Sequence, residues 1–238
     1  MMATQDFWGT LVHNIRLKRW NTRDKDADAT IVVDGHHIRV HSSVVESESS
    51  HLECAFRRGF RKTGKRVYHI HSVDIHTIWR AVELMYIGDY SSGYPDTPIF
   101  DTTNDLLKHA RTYQIAHFFK LSNNLLDVIC QKYQDAASTS GDVADFLDSL
   151  DPIITPLLPH RVEIQLLPPD DITLFLTSKA ATRSLHQDKL VWFAIYYLFE
   201  NRQKFRGQLC EELCKKFKDN QNQMLRELFI HHWTIWDL

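Results

Sequence analysis

The spacing of hydrophobic residues near the amino terminus predicts a short amphipathic helix. Phe7, Trp8, Leu11, Val12 and Ile15 recur at i, i+1, i+4, i+5 and i+8, which places one apolar stripe along a helix. A charged connector over residues 21–28 follows it. An exposed stripe of this size usually marks an interface. Packing against its own domain and a symmetric contact with a second copy both remain open.

Alternating apolar and polar positions after the connector predict a small β-sheet. The segments ATIVVDG and HHIRVHS form two candidate strands that meet at Asp34-Gly35, a strong hairpin signal. A third candidate strand, RVYHIH, alternates Tyr68 and Ile70 with Val67 and the histidines.

Helical periodicity surrounds these strands. Residues 42–60 predict two short helices with a turn between Gly59 and Gly64, and residues 102–119 and 120–134 predict two more. The clearest helix is capped by Asp74 and ended by Gly88. Its stripe consists of Ile75, Ile78, Trp79, Val82, Met85 and Tyr86.

The second half of the chain has a different character. Residues 136–142 are small and polar, and five prolines in residues 151–171 argue against long regular elements there. Helical patterns return at 172–183, 190–200 and 208–238. We therefore predict an amphipathic helix and connector (1–25), a folded domain (26–135), a linker (136–160) and a helical region (161–238).

Composition limits the class of protein. With 238 residues, 43% hydrophobic and 24% charged, the chain has ordinary globular usage, and a net charge of -2 gives it no overall basic field. Protein partners are therefore favoured over nucleic acid. No apolar run is long enough for a bilayer, no signal-peptide core is present, and Cys54, Cys130, Cys210 and Cys214 are widely spread. We expect no membrane association and a place in the cytoplasm, the nucleus or both.

Candidate metal and catalytic residues have simpler explanations. His69 and His71 share a face of a predicted strand, but no third and fourth ligand is evident, so a solvated strand face is favoured. Cys210 and Cys214 lie on an apolar helical stripe and are expected to be core thiols. We predict no metal and no cofactor.

No catalytic motif stands out. A Gly-rich phosphate loop, a G-x-S-x-G elbow and an H-E-x-x-H motif are all absent. His41 and Ser42 are adjacent, but no orienting acid accompanies them. We predict a protein that is not an enzyme and has no small-molecule substrate.

A basic segment remains unexplained. RRGFRKTGKR, residues 57–66, carries six basic residues and no acid. It is suited to phosphate or to an acidic protein surface, although solvated charges on a turn are ordinary. A transcription- or chromatin-linked regulator with a basic loop that contacts nucleic acid is therefore the alternative function.

Four segments in order resemble the BTB/POZ family, in the style of its fungal members. They read DATIVVDGHHIRVHSSVV, SSHLECAFRRGF, VYHIHSVDIHTIWRAVELMYIGDY and LLKHARTYQIAHFFKLSNNLL, and span about residues 26–135. The resemblance implies an α+β fold, a small β-sheet wrapped by helices, followed here by an α-helical C-terminal region. It also implies homodimerisation and an adaptor or scaffold role, either for a cullin-type ubiquitin ligase or in a transcription regulator.

The resemblance assigns roles to individual residues. Asp28 and Ser42 join Phe7, Trp8, Leu11, Val12 and Ile15 as predicted dimer-interface residues. His41 matches the histidine that opens the next helix, and residues 86–90 match the Y-x-G-D-Y turn. The predicted partner-binding residues are Phe60, Arg61, Lys62, Tyr86, Asp89 and Tyr90.

Two departures from the family pattern matter. The family often places a basic residue after the histidine, paired with the aspartate at the dimer pocket, but Ser42 stands there, so that ion pair is expected to be missing. Many cullin-binding members have an apolar-x-Glu signature where this chain reads Phe60-Arg61-Lys62. Charge inversion at position 62 argues against a cullin partner that is basic there.

Overall fold

The computed structural model describes residues 14–63, 65–90, 94–95, 101–140 and 142–154, together with positions 190, 193, 194, 197, 200 and 201. For residues 60–63, 151 and 154 it describes the backbone alone. Phe7, Trp8, Leu11 and Val12 of the predicted stripe lie outside these residues, as do Cys210, Cys214 and most of the predicted helical region 161–238.

The described strands form one sheet of mixed direction. Strands β1 (Ala29–Val33) and β2 (His36–Val40) pair antiparallel, and β3 (Val67–Ile70) pairs parallel to β1, in the order β2-β1-β3. At the hairpin turn Asp34 and Gly35 have φ values of 45° and 89°, both in the left-handed region that two-residue hairpin turns require. The predicted hairpin and the predicted third strand are confirmed.

Seven helices are described within residues 14–154. They are α1 (14–21), α2 (Ser42–Glu48), α3 (Ser50–Thr63), α4 (Ile75–Ile87), α5 (Asp105–Phe119), α6 (Asn123–Thr139) and α7 (Val143–Ile154). The mixture of a small sheet with many helices confirms the predicted α+β class. No described helix combines the length and apolar character needed to cross a membrane.

Helix α4 lies in the core and has both predicted ends. The Asp74 carboxylate accepts a hydrogen bond from the Thr77 N–H at 2.9 Å, which caps the helix N-terminus. Gly88 has a φ of 74°, and its N–H donates to the Leu84 carbonyl, a left-handed C-cap. All twelve residues from Ile75 to Tyr86 are buried, so this helix is enclosed on all sides rather than along one stripe.

Helix α3 is longer than its sequence predicts. It continues through Gly59 to Thr63, so the turn predicted between Gly59 and Gly64 is wrong over most of its length. An added Cβ at Gly59 would lie 3.2 Å from the Val67 carbonyl oxygen. The glycine therefore lets α3 approach β3 closely, and this close approach explains a glycine within a helix.

The chain divides into two compact units. One comprises Met1–Thr103 and Arg111–Lys132, and the other comprises Asn104–Ala110 and Tyr133–Leu238. The second unit includes α7, which lies within the segment 136–160 predicted to be a linker. Helix α7 buries Val143, Phe146, Leu147, Leu150 and Ile153. Described positions from 190 to 200 are also helical, and Leu190 and Ala194 are buried.

Candidate functional site

Helix α1 is anchored to its own domain through Trp20. This side chain is 8% exposed, and its ring centroid lies 4.9 Å from that of Trp79 and 5.4 Å from that of Tyr86. The Arg23 guanidinium lies 4.4 Å from the centroids of both Trp20 and Trp79. Aromatic and cation–π contacts of this kind hold the end of α1 against α4.

The predicted apolar stripe faces a different direction at its described end. Ile15, its last member, is 50% exposed. At 3.6 residues per turn, Ile15 and Trp20 are separated by about 140° around the helix axis. The contact that anchors α1 therefore leaves Ile15 in solvent.

A polar cluster joins Asp28, Ser42 and Arg66. Asp28 accepts hydrogen bonds from the Ser42 backbone N–H at 2.7 Å and from the Ser42 hydroxyl at 2.6 Å. Arg66 Nη1 donates to Asp28 Oδ2 at 2.5 Å and to Ser42 Oγ at 2.7 Å. Burial alone would raise the pKa of Asp28, but the hydrogen bonds from Ser42 and Arg66 outweigh it and lower that pKa.

The ion pair expected to be missing is formed by a residue elsewhere in the chain. Ser42 supplies no cation, but Arg66 immediately precedes β3, and the Thr30 N–H donates to the Arg66 carbonyl at 2.9 Å. This bond brings Arg66 beside the start of β1, where Asp28 lies. Arg66 was visible in the sequence only as part of a basic segment, and its pairing depends on the parallel register of β1 and β3.

His41 and Tyr86, from two separate motifs, are in direct contact. The His41 backbone N–H donates to the Tyr86 hydroxyl at 2.6 Å, and Nδ1 of His41 lies 2.9 Å from the same oxygen. Burial raises the pKa of Tyr86 to about 12.

Two of the predicted partner-binding residues are core residues. Tyr86 is 1% exposed and Tyr90 is 2% exposed. Both rings of the Y-x-G-D-Y sequence are thus buried and its aspartate is exposed, while partner binding by Tyr86 and Tyr90 stays a prediction.

Asp89 is the accessible residue of this turn. Its Oδ1 accepts hydrogen bonds from the Tyr90 N–H at 2.8 Å and lies 2.9 Å from the Lys132 Nζ. Lys132 also lies over the Tyr90 ring, 5.1 Å from its centroid. Asp89 thus ties the turn to α6 while remaining half exposed.

The basic segment is divided between two elements. Arg57 belongs to α3 and forms an i,i+4 ion pair with Glu53 at 2.5 Å, whereas Lys65 and Arg66 lie at the entrance to β3. Phe60, Arg61 and Lys62 are on the last turns of α3, where the backbone alone is described.

The candidate chemical groups have separate surroundings. The Ser42 hydroxyl donates to Asp28, and the His41 ring contacts Tyr86, so these adjacent residues have different partners. His69 and His71 are exposed, with ring centroids 6.4 Å apart. The described residues contain no group of three His, Cys, Asp or Glu side chains arranged to hold a metal ion.

The family follows from the sequence comparison. Residues 17–129 match the family model of the BTB/POZ domain. The BTB domain of human gigaxonin is a similar solved structure, with 14% identity, 50% of this chain and 87% of that chain covered, and a TM-score of 0.38. No curated protein matches the chain. The match identifies residues 17–129, just under half of the chain, as a BTB/POZ domain, a protein–protein interaction module.

Proposed function

We propose that this chain is a self-associating adaptor in which two copies meet along helix α1. The observation that carries the proposal is the exposure of Ile15 on a helix whose opposite side is already anchored by Trp20. The stripe that ends at Ile15 begins at Phe7 and includes Trp8, Leu11 and Val12 in sequence. A stripe this apolar is stabilised by contact with another apolar surface.

Asp28 belongs to the margin of the proposed contact. Asp28 keeps 47% of its side chain exposed. Ser42 is 4% exposed, so its proposed part is to hold Asp28 in position rather than to touch the second copy.

An adaptor also needs a second protein. A cullin scaffold is not favoured, because Lys62 stands where many cullin-binding relatives have Glu. The client is therefore proposed to be a protein of another kind, in the cytoplasm or nucleus. Asp89 is the one predicted partner-binding side chain that the described residues leave both accessible and charged.

Sedimentation velocity of the full chain at micromolar concentrations tests self-association. We expect the mass of a dimer. Ile15→Asp, and Leu11→Asp one turn earlier on the same stripe, are expected to shift the chain to the monomer. Leu17→Asp is the matched control, because Leu17 is also exposed, at 37%, but lies about 200° around the helix from Ile15.

Two results would overturn the proposal. One is a single-chain mass for the unaltered protein over the whole concentration range. The other is a dimer that survives both Ile15→Asp and Leu11→Asp with unchanged affinity. Far-ultraviolet circular dichroism of each variant separates loss of association from loss of folding.

A further inference from the structure

The two faces of the sheet differ in the residues they carry. Ile31, Val33, Ile38 and Val40 point inward and are at most 1% exposed. The alternating positions point to the other face and form two rows across the strands, one of Arg39, Thr30 and Val67 and one of His37, Val32 and His69. Val32 in the second row is buried, at 8% exposed. None of these six residues is acidic.

The first of these rows borders an open depression of about 460 Å³. Its lining consists of Ala27, Asp28, Ala29, Thr30, Arg39, Lys65, Arg66 and Val67. Three of these side chains are basic and one is acidic, and the acidic one, Asp28, already forms an ion pair with Arg66. The lining side chains therefore carry more formal positive than negative charge.

Arg39 is the most available of these cations. It is exposed on β2, directly across from Thr30 of β1. No described residue forms an ion pair with it. Val67 and Thr30 lie between it and the entrance to β3, so a bound chain would meet apolar and hydroxyl surface flanked by cations.

We propose that this outward face of the sheet binds an acidic segment of a partner protein. A carboxylate of the partner would pair with Arg39 in the positive field of Lys65 and Arg66, while the partner's backbone or short side chains would lie over Thr30 and Val67. Charge complementarity of this kind selects a partner and accelerates association more than it adds affinity. The site does not include the α1 stripe on which self-association is proposed, but it shares Asp28 with the margin of that contact.

A protein segment fits this face better than a nucleic acid. The lining of the depression contains no aromatic ring on which a base would stack.

Fluorescence anisotropy with a short labelled peptide rich in Glu and Asp tests the proposal on the full chain. We expect binding that weakens as salt is raised, and no binding of a matched peptide in which Gln and Asn replace the acids. Arg39→Gln and Lys65→Gln are each expected to weaken binding by about two- to fivefold, the range for an exposed ion pair.

Arg57→Gln is the matched control, because it removes the same charge from an exposed arginine, 68% exposed, on helix α3. Equal weakening by this control would indicate diffuse charge attraction and overturn the proposal. Tighter binding of a single-stranded oligonucleotide than of the acidic peptide would overturn it in favour of nucleic acid. Release of the peptide as the chain dimerises would assign the face to the contact between copies.

Sedimentation of Arg39→Gln keeps this test separate from self-association. The variant is expected to dimerise as the unaltered chain does while losing peptide affinity. A monomeric chain that still binds the peptide through Arg39 would instead contradict the proposed self-association and leave the acidic-segment site standing.

Discussion

The Tyr86 hydroxyl accepts a hydrogen bond from the backbone N–H of His41 at 2.6 Å. This bond joins the start of α2 to the buried helix α4. The same oxygen lies 2.9 Å from His41 Nδ1. A hydroxyl has one proton, so it accepts from the backbone and donates to the ring when Nδ1 is unprotonated. Two sequence motifs separated by 45 residues are thus parts of one hydrogen-bonded unit.

Tyr86→Phe is expected to lower the free energy of unfolding by about 1–3 kcal/mol, because it leaves the His41 N–H without its acceptor while keeping the ring. Urea unfolding measures the change. Tyr68→Phe is the control, since it removes a hydroxyl that pairs with His51 at a partly exposed site and should cost less. Equal losses for the two variants would contradict the importance of the His41 contact.

The contact between Tyr86 and His41 should also make the free energy of unfolding depend on pH in the alkaline range. An isolated tyrosine titrates near pH 10, whereas burial raises the pKa of Tyr86 to about 12. The unfolded chain therefore loses this proton first, and the stability linked to neutral Tyr86 is present below about pH 10 and declines between about pH 10 and 12. The stability difference between the unaltered chain and Tyr86→Phe should narrow over that interval.

A second prediction concerns the buried pair of Arg80 and Asp101. Their side chains are 3% and 12% exposed, and Arg80 Nη1 lies 2.5 Å from Asp101 Oδ2. Burial would raise the pKa of Asp101, but hydrogen bonds from Arg80 and Thr103 outweigh it and lower that pKa to about 2. Asp101→Asn should cost about 3 kcal/mol at neutral pH, the lower end for breaking a buried pair. Asp74, 4.0 Å from Arg80, remains as a second carboxylate and limits the loss.

The stabilisation by the Arg80–Asp101 pair should decrease as the pH falls. Because the folded pKa lies below the unfolded value near 3.9, the stabilisation is complete above about pH 4 and disappears as pH falls towards about 2. The stability difference between the unaltered chain and Asp101→Asn should shrink over the same interval. A difference that stays constant from neutral pH to pH 2 would show that the ionised carboxylate contributes nothing.

A third prediction concerns the free energy that the Asp28–Arg66 ion pair itself contributes to stability. A double-mutant cycle with Asp28→Asn and Arg66→Gln should give a coupling free energy of about 0.5–1 kcal/mol, because the two side chains are partly exposed. Added salt should reduce the coupling. A control cycle that combines Asp28→Asn with Arg57→Gln should give no coupling free energy, since Arg57 pairs with Glu53.

The sequence was sufficient for elements whose signals are local. Asp34-Gly35 predicted the hairpin because both residues tolerate left-handed backbone, and the cap at Asp74 and the end at Gly88 predicted α4. The resemblance to the BTB/POZ family predicted the α+β fold class. The hairpin and each end of α4 depend on residues that are neighbours in sequence, whereas the resemblance depends on four segments over residues 26–135.

The cluster around Asp28 was not predictable in the same way. Arg66 lies 38 positions from Asp28 along the chain, and only the β1–β3 pairing brings them together. Arg39 joins Lys65 and Arg66 through the register of β2 against β1. Gly59 misled the sequence interpretation because its close approach to Val67, a tertiary contact, explains a glycine that local rules assign to a turn.

The fourth prediction follows from that approach. Alanine normally stabilises a helix by about 1 kcal/mol relative to glycine. At position 59 the added Cβ would lie 3.2 Å from the Val67 carbonyl oxygen, a backbone atom of a paired strand that yields less readily than a side chain. Gly59→Ala should therefore gain less than this amount or lose stability.

Ala55→Gly on the same helix gives the local value of the alanine–glycine difference, and urea unfolding of both variants gives the comparison. Because a shifted β3 would move Arg66 away from Asp28, Gly59→Ala should also reduce the coupling in the Asp28–Arg66 cycle. A full helix-propensity gain at position 59 with unchanged coupling would mean that α3 and β3 are not held as closely as their geometry implies.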